Sequence, residues 1–507
     1  MKKRFAICST IVLLLLLSAC GAPQTLDFSY APEGEELSSL MVETSQTHRA
    51  ELEHVPSAAD FADAISDDPA SAGLLSESEV ESLLRGHAAM ETVSKEQAQS
   101  DVSLLFRTLQ SAYGAYEYFG QEKFDAAEDA VTQWLSSQDD EIKVSALGEK
   151  LQESLAFMLA HDAHAMIYEP AAEEIEAQVR YEYFFADDFY FSKDVNGSYY
   201  MVNDGERWTL SSFSDEHVSV QPTLLQDGRI VYQPTLFALR KDAVQSSVTL
   251  KNSSGKAKIY RLDWTESQPL DVELGTLDYR LIQEDGLTYV SLRSLVSGTY
   301  DNMLARYARE GAKARGSKAV IYDLRGNVGG SDSWPRKWIQ SFLGTQNSIE
   351  TSMLYAQKNS ALFAAENSES LLPEDEGTCF AREVHGTWYE NDIPIIVLVD
   401  DHCGSSGEGA VQLLKTLDNV LVVGSNTAGY QLCGNISTFT LPYTGIGVRF
   451  GSTLFLYGDG ENVDHRGYVP DVWCDPQDAL ASVLALLKEQ GVVSADACET
   501  VREKIVK

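Results

Sequence analysis

Basic residues are scarce in this sequence. Its 507 residues hold 39 Lys+Arg against 76 Asp+Glu, a formal net charge of −37. A polyanion of that size repels phosphates, which excludes a general nucleic-acid binder. Cysteines are few, and no Cys-x-x-Cys spacing of a structural zinc site occurs. After residue 20 no run is long and apolar enough for a bilayer span of about 20 residues. There is no internal repeat. With 44% hydrophobic and 10% aromatic residues the chain is not globally disordered. At roughly 100–200 residues per domain it has length for two to four.

The N-terminus reads as an export signal over 1–19. Lys2, Lys3 and Arg4 precede the apolar run Ile11 to Leu17. The ending Leu17-Ser18-Ala19-Cys20 resembles a bacterial lipobox, which implies a lipid on Cys20 and an extracytoplasmic, membrane-anchored chain. Residues 20–69, rich in Ser, Glu, Ala and Pro, read as an acidic tether. Five cysteines remain for the body, namely Cys379, Cys403, Cys433, Cys474 and Cys498. An exported chain permits disulfides, and Cys403 with Cys433 is one pairing open to it.

Three patterns follow. Residues 70–170 are helical, with capping-box spacing at Ser76 and Glu79 and helical period in Leu105, Leu109, Tyr113, Tyr116 and in Leu147, Leu151, Leu155, Met158. Residues 177–271 are β-rich, with hairpin signals at Asn196-Gly197, Asp204-Gly205 and Asp227-Gly228. From 275 to 490, strands at Leu287–Leu292, Ala319–Tyr322, Ile395–Val399 and Val420–Val423 alternate with helical patterns, which predicts an α/β core with a mainly parallel sheet. Residues 491–507 read as a C-terminal tail.

Two segments carry chemistry. Asp323-Leu324-Arg325-Gly326-Asn327-Val328-Gly329-Gly330 follows a strand, and its glycines let main-chain N–H groups approach a ligand. It is not a P-loop, since no Gly-Lys-Ser/Thr follows. The strand Ile395–Val399 runs into Gly404-Ser405-Ser406-Gly407-Glu408, which places a hydroxyl at a helix N-terminus where free N–H groups favour negative charge. This is not the Gly-x-Ser-x-Gly elbow of α/β-hydrolases.

These two segments, followed in order by Val422-Val423-Gly424 and Gly467-Tyr468-Val469-Pro470-Asp471, resemble the tail-specific, or carboxy-terminal processing, serine peptidases, whose catalytic core is shared with tricorn protease. The resemblance implies a Clp/crotonase-like α/β peptidase core and a peptide or protein substrate, with no metal or cofactor. It implies Ser405 as nucleophile, three residues before Glu408. Ser406, Gly329 and Gly330 would form the oxyanion hole. The lysine of the Ser-Lys branch is replaced by Tyr430, a poor base at its ordinary pKa of about 10. The Ser-His-acid branch matches better. Leu159-Ala160-His161-Asp162-Ala163-His164 offers His164 as general base, and Asp464 stands where that branch has Glu.

Other readings stay open on the residues alone. His161 and His164 could pair on a metal, His402 or His465 could be the base, and Cys403 could be a thiol nucleophile. Asp459, Glu461 and Asp475 compete with Asp464. A non-catalytic binding lipoprotein, or an esterase or amidase acting on cell-wall material, would fit the same scaffold.

Overall fold

The computed structural model describes residues 30–168, 181–239, 246–298, 300–367 and 371–506. The signal over 1–19 and the Cys20 lipidation position lie outside the described residues.

The stretch read as a tether contains a packed helix, α1 (Leu37–Glu53). Leu37, Leu40 and Met41 make one apolar stripe at i, i+3, i+4 spacing and are buried. They share a core cluster with Leu421 and Val423. The acidic residues that suggested a tether, Glu43, Glu51 and Glu53, lie on the exposed side.

The helical region follows the sequence pattern. Ser76 and Glu79 bond reciprocally, Glu79 N–H to Ser76 Oγ at 3.3 Å and Ser76 N–H to Glu79 Oε2 at 2.8 Å. All eight periodic residues named above are buried. Their core is not their own, because it continues into Phe439, Phe450 and Leu454 of an antiparallel sheet formed late in the chain. The region ends in a short strand, Met166–Tyr168, that pairs with Gly447–Tyr457, with Met166 opposite Arg449. That pairing brings residue 164 to the C-terminal half.

The β-rich segment divides. Five of its strands form an antiparallel sheet around Phe189, Phe191, Trp208 and Tyr260. The turn Asp204-Gly205 has φ of 53° and 74°, the two positive values a type I′ hairpin requires. Tyr181–Ala186, Val218–Leu224, Ile230–Leu239 and Trp264–Glu266 instead extend the central sheet. The insert is thus continuous with the core rather than a separate body.

Among the described residues that central sheet has ten strands. Its middle is parallel, with β1 (Leu287–Ser291), β2 (Ala319–Asp323), β3 (Ile395–Val399) and β4 (Val420–Gly424) side by side in chain order. Ile395, Val397 and Val399 face Trp338, Ile339 and Phe342 of helix α2 (Ser333–Leu343). Ile396 and Leu398 face Val483, Leu486 and Leu487, which belong to a helix at Ala479–Glu489. Both faces are covered, so β3 is an unbroken apolar run. The architecture is α/β, as expected. The tail expected over 491–507 is a further helix, Ala495–Val506, with Ala497, Cys498 and Val501 buried.

The five body cysteines are free thiols. Cys403 and Cys433 belong to different core clusters, which is why the suggested disulfide does not form. Among the described residues no helix is long and apolar enough to cross a membrane.

The packing of α1 is testable by substitution. Met41 is 2% exposed and its neighbour Val42 is 57% exposed. Met41→Ala should lower unfolding free energy by about 2–4 kcal/mol, while Val42→Ala should change it by less than about 0.5 kcal/mol. Denaturant titration followed by circular dichroism checks both.

Candidate active site

The end of β3 leads through Asp400 to Gly404 into helix α3 (Ser406–Leu414). Ser405 is the residue before the helix, half-buried, with φ 53° and ψ −123°. A side chain in that region costs roughly 1–3 kcal/mol, and such strain persists only where surroundings impose it.

Glu408 is the first of those surroundings. It is fully buried, one turn into α3. One carboxylate oxygen accepts from Ser405 N–H at 3.0 Å and Tyr430 N–H at 2.8 Å. The other accepts from Thr427 Oγ1 at 2.6 Å and Gly429 N–H at 2.9 Å. Burial pushes this carboxyl up and the four donors pull the other way. In the sequence Glu408 marks the position of Ser405 three residues before it and is assigned no role of its own. Its sequence signal is a carboxylate at capping-box distance from Ser405.

The glycine-rich turn is the second. Asp323 at its head is buried against Arg293 and Arg325, with Arg325 Nη2 at 2.6 Å and Arg293 Nη1 at 3.1 Å. Burial favours the neutral acid, but Arg293 and then Arg325 outweigh it and hold Asp323 well below the usual carboxylate range. Asn327 joins this turn to the nucleophile turn, since its carbonyl accepts from Gly404 N–H at 2.9 Å. Asp400 adds a second tie through Gly326 N–H at 2.8 Å. A Cβ on Gly329, whose φ is 98°, would lie 2.8 Å from Ser405 Cβ, so only glycine permits this approach. The Gly329 N–H donates to Asn327 Oδ1 at 2.9 Å.

His164 is third, 3% exposed on the turn before Met166–Tyr168. Two carboxylates hold its main chain. Asp162 Oδ1 accepts from His164 N–H at 2.9 Å, and Asp464 Oδ2 accepts from Ala163 N–H at 2.9 Å. The other Asp464 oxygen accepts from Gln431 N–H at 2.7 Å and Leu432 N–H at 2.8 Å. Asp464 therefore bonds the main chain on either side of the site, and the imidazole Nδ1 is buried without a hydrogen-bond partner. Burial, then the Arg449 charge, lowers the His164 pKa to about 3. Burial, then the charge of Asp162, raises Asp464 well above its ordinary value.

The remaining readings separate. Tyr430 packs its ring on His164, with centroids 5.2 Å apart. Cys403 is fully buried, and burial pushes its thiol far up, which removes it as a nucleophile. His402 N–H bonds Asp400 Oδ1 at 3.2 Å, and His465 N–H bonds the Gly429 carbonyl at 2.9 Å. A cavity of about 450 Å³ opens along the C-terminal half of α3 beside Gln412, Lys415, Tyr457 and Tyr468, and none of Ser405, His164 or Asp464 lines it.

Residues 286–473 match the model of peptidase family S41. This bears out the resemblance to the tail-specific peptidases and supports a serine peptidase acting on a peptide or protein. Among solved structures the chain is similar to mature CPAF, with 14% identity over 78% of this chain and 98% of that one, TM-score 0.44. It is similar to the photosystem II D1 C-terminal processing protease, with 15% identity over 79% and 98% of the two chains, TM-score 0.39. For the tricorn protease the values are 14% identity, 82% of this chain and 37% of that one, TM-score 0.35. No curated protein matches.

Glu408 should be the costliest side chain of the site to remove. Glu408→Ala strands four donors in a dry region, and we expect a loss of about 3–5 kcal/mol. Denaturant unfolding of the variant beside wild type measures it.

Proposed function

We propose that this chain, whose core over residues 286–473 matches peptidase family S41, hydrolyses peptide bonds through an acyl-enzyme on Ser405. The observation that carries the reading is the strained Ser405 at the start of α3, with the Gly329 main chain laid against it. Strain of this kind clusters at functional sites, where the surroundings impose it.

In the first step Ser405 Oγ bonds to the substrate carbonyl carbon and His164 takes the hydroxyl proton. The carbonyl oxygen gains the electron pair and accepts hydrogen bonds from the main-chain N–H groups of Ser406 and Gly330. Gly329 contributes proximity, because its own N–H is engaged by Asn327. Each such donor is worth about 3–4 kcal/mol of barrier. The C–N bond then breaks, His164 gives its proton to the departing amine, and the acyl group stays on Ser405. Water, deprotonated by His164, attacks the ester and restores the hydroxyl. Asp464 serves as a positioning residue for the turn that carries His164.

The chain acts on the outer face of a bacterial membrane, anchored by lipid on Cys20. The basic Lys2-Lys3-Arg4, the apolar run and the Leu-Ser-Ala-Cys ending support that reading.

A fluorophosphonate probe tests the nucleophile. Wild type should label and Ser405→Ala should not. Equal labelling of the two removes Ser405, and no labelling or turnover at all leaves the non-catalytic binding reading, which Tyr430 in place of lysine favours. The depressed His164 pKa sets the pH dependence. A lowered pKa keeps the ring neutral, and able to accept a proton, below its ordinary value of 6.5. The acid limb of the labelling rate should therefore lie below pH 6.5, and a midpoint at or above 6.5 would assign the base elsewhere. For the anchor, a clickable palmitate analogue should label the expressed full chain, and Cys20→Ser should abolish that label.

A further inference from the structure

We infer that Tyr430 is the residue that orients the His164 imidazole toward Ser405, taking the task that the resemblance gives to a carboxylate. The inference rests on the peptidase reading above and adds a positioning residue to it.

The usual orienting group is absent from the ring. Asp464 shares its two oxygens among three main-chain N–H groups, at 163, 431 and 432. Asp162 is occupied by His164 N–H and by the Tyr113 hydroxyl at 2.8 Å. The imidazole Nδ1 finds no partner in a buried setting. The Cys433 main chain interacts with the ring, and the packing around it sets the rest of its angle.

Tyr430 is placed to do so. Its ring meets the His164 ring edge to face, at 5.2 Å and 66°, a preferred geometry for aromatic pairs. The same ring lies against the nucleophile turn, where a Cβ on Gly404 would sit 3.1 Å from Tyr430 Cδ2. One side chain therefore touches both the base and the residue before the nucleophile. Its own backbone is held by Glu408, the carboxylate that also accepts from Ser405 N–H. Ring and nucleophile share one rigid anchor, so the ring transmits the position of Ser405 to His164.

The contact uses the ring and not the hydroxyl, which separates two substitutions. Tyr430→Phe keeps the face, and Tyr430→Leu keeps bulk without it. Two readouts apply to the full-length protein. The first is the maximal rate of fluorophosphonate labelling, kinact, against its half-saturating concentration. The second is the two-bond ¹H–¹⁵N correlation of the His164 ring in histidine-labelled protein, assigned with His164→Gln. We expect Tyr430→Phe to match wild type in both. Tyr430→Leu should lose roughly 10- to 100-fold in kinact with little change in half-saturation, and its His164 ring signals should shift. Thermal melting confirms that both variants fold. A Tyr430→Leu variant equal to wild type in rate and ring signals overturns the inference, as does a Tyr430→Phe variant as impaired as Tyr430→Leu. If wild type itself fails to label, the peptidase reading falls, and the ring signals alone still decide whether Tyr430 orients His164.

Discussion

The buried carboxylate of Glu408 is the interaction on which the candidate site depends. It is the common acceptor for Ser405 N–H at the start of α3 and for Thr427, Gly429 and Tyr430 just beyond β4. A carboxylate in a dry interior is tolerated only when its lone pairs are filled, and a filled set is correspondingly rigid. Because the donors come from two chain segments, filling the set fixes one segment against the other. The strain at Ser405 has its counterweight here.

The same device recurs around Glu408. Asp464 spans from the loop after β4 to the turn bearing His164. Asp400 holds the glycine-rich turn through Gly326. Asn327 reaches the nucleophile turn with its carbonyl and the end of β1 with its side chain, through the Leu292 carbonyl at 3.0 Å. The loops around the site are thus joined by side-chain carboxylates that accept main-chain N–H groups and by both the carbonyl and the side chain of Asn327. Loops can carry a site only where such ties replace the hydrogen bonds that strands and helices make internally.

Charge is used in two opposite ways in this chain. The acidic excess in its composition sits mostly in exposed side chains. The few buried carboxylates differ from one another by their partners. Asp323 has two guanidinium groups and is held strongly acidic, whereas burial pushes Asp162 up, and burial followed by the Asp162 charge pushes Asp464 up. Burial acts alike on all three, and only the guanidinium charges beside Asp323 overturn it.

Much of the fold was legible in the sequence, because periodicity reports burial directly. The four core strands, the helices between them, the Ser76 capping box and the Asp204-Gly205 hairpin follow from local pattern, and Ser405 at a strand-to-helix turn follows from the order of its neighbours. The apolar stripe of α1 was hidden by the acidic residues on its other face. Local pattern could not tell which core a segment joins. The helical region and the late antiparallel sheet fill one hydrophobic cluster, and half of the β-rich insert enters the central sheet, through contacts hundreds of residues apart. The resemblance to the tail-specific peptidases named Ser405, His164 and Asp464 and set Tyr430 at the position of the Ser-Lys branch's lysine. Only the tertiary structure decided that Asp464 bonds main chain and that Tyr430 meets the imidazole, because a side chain's partner is set by where other segments place their donors.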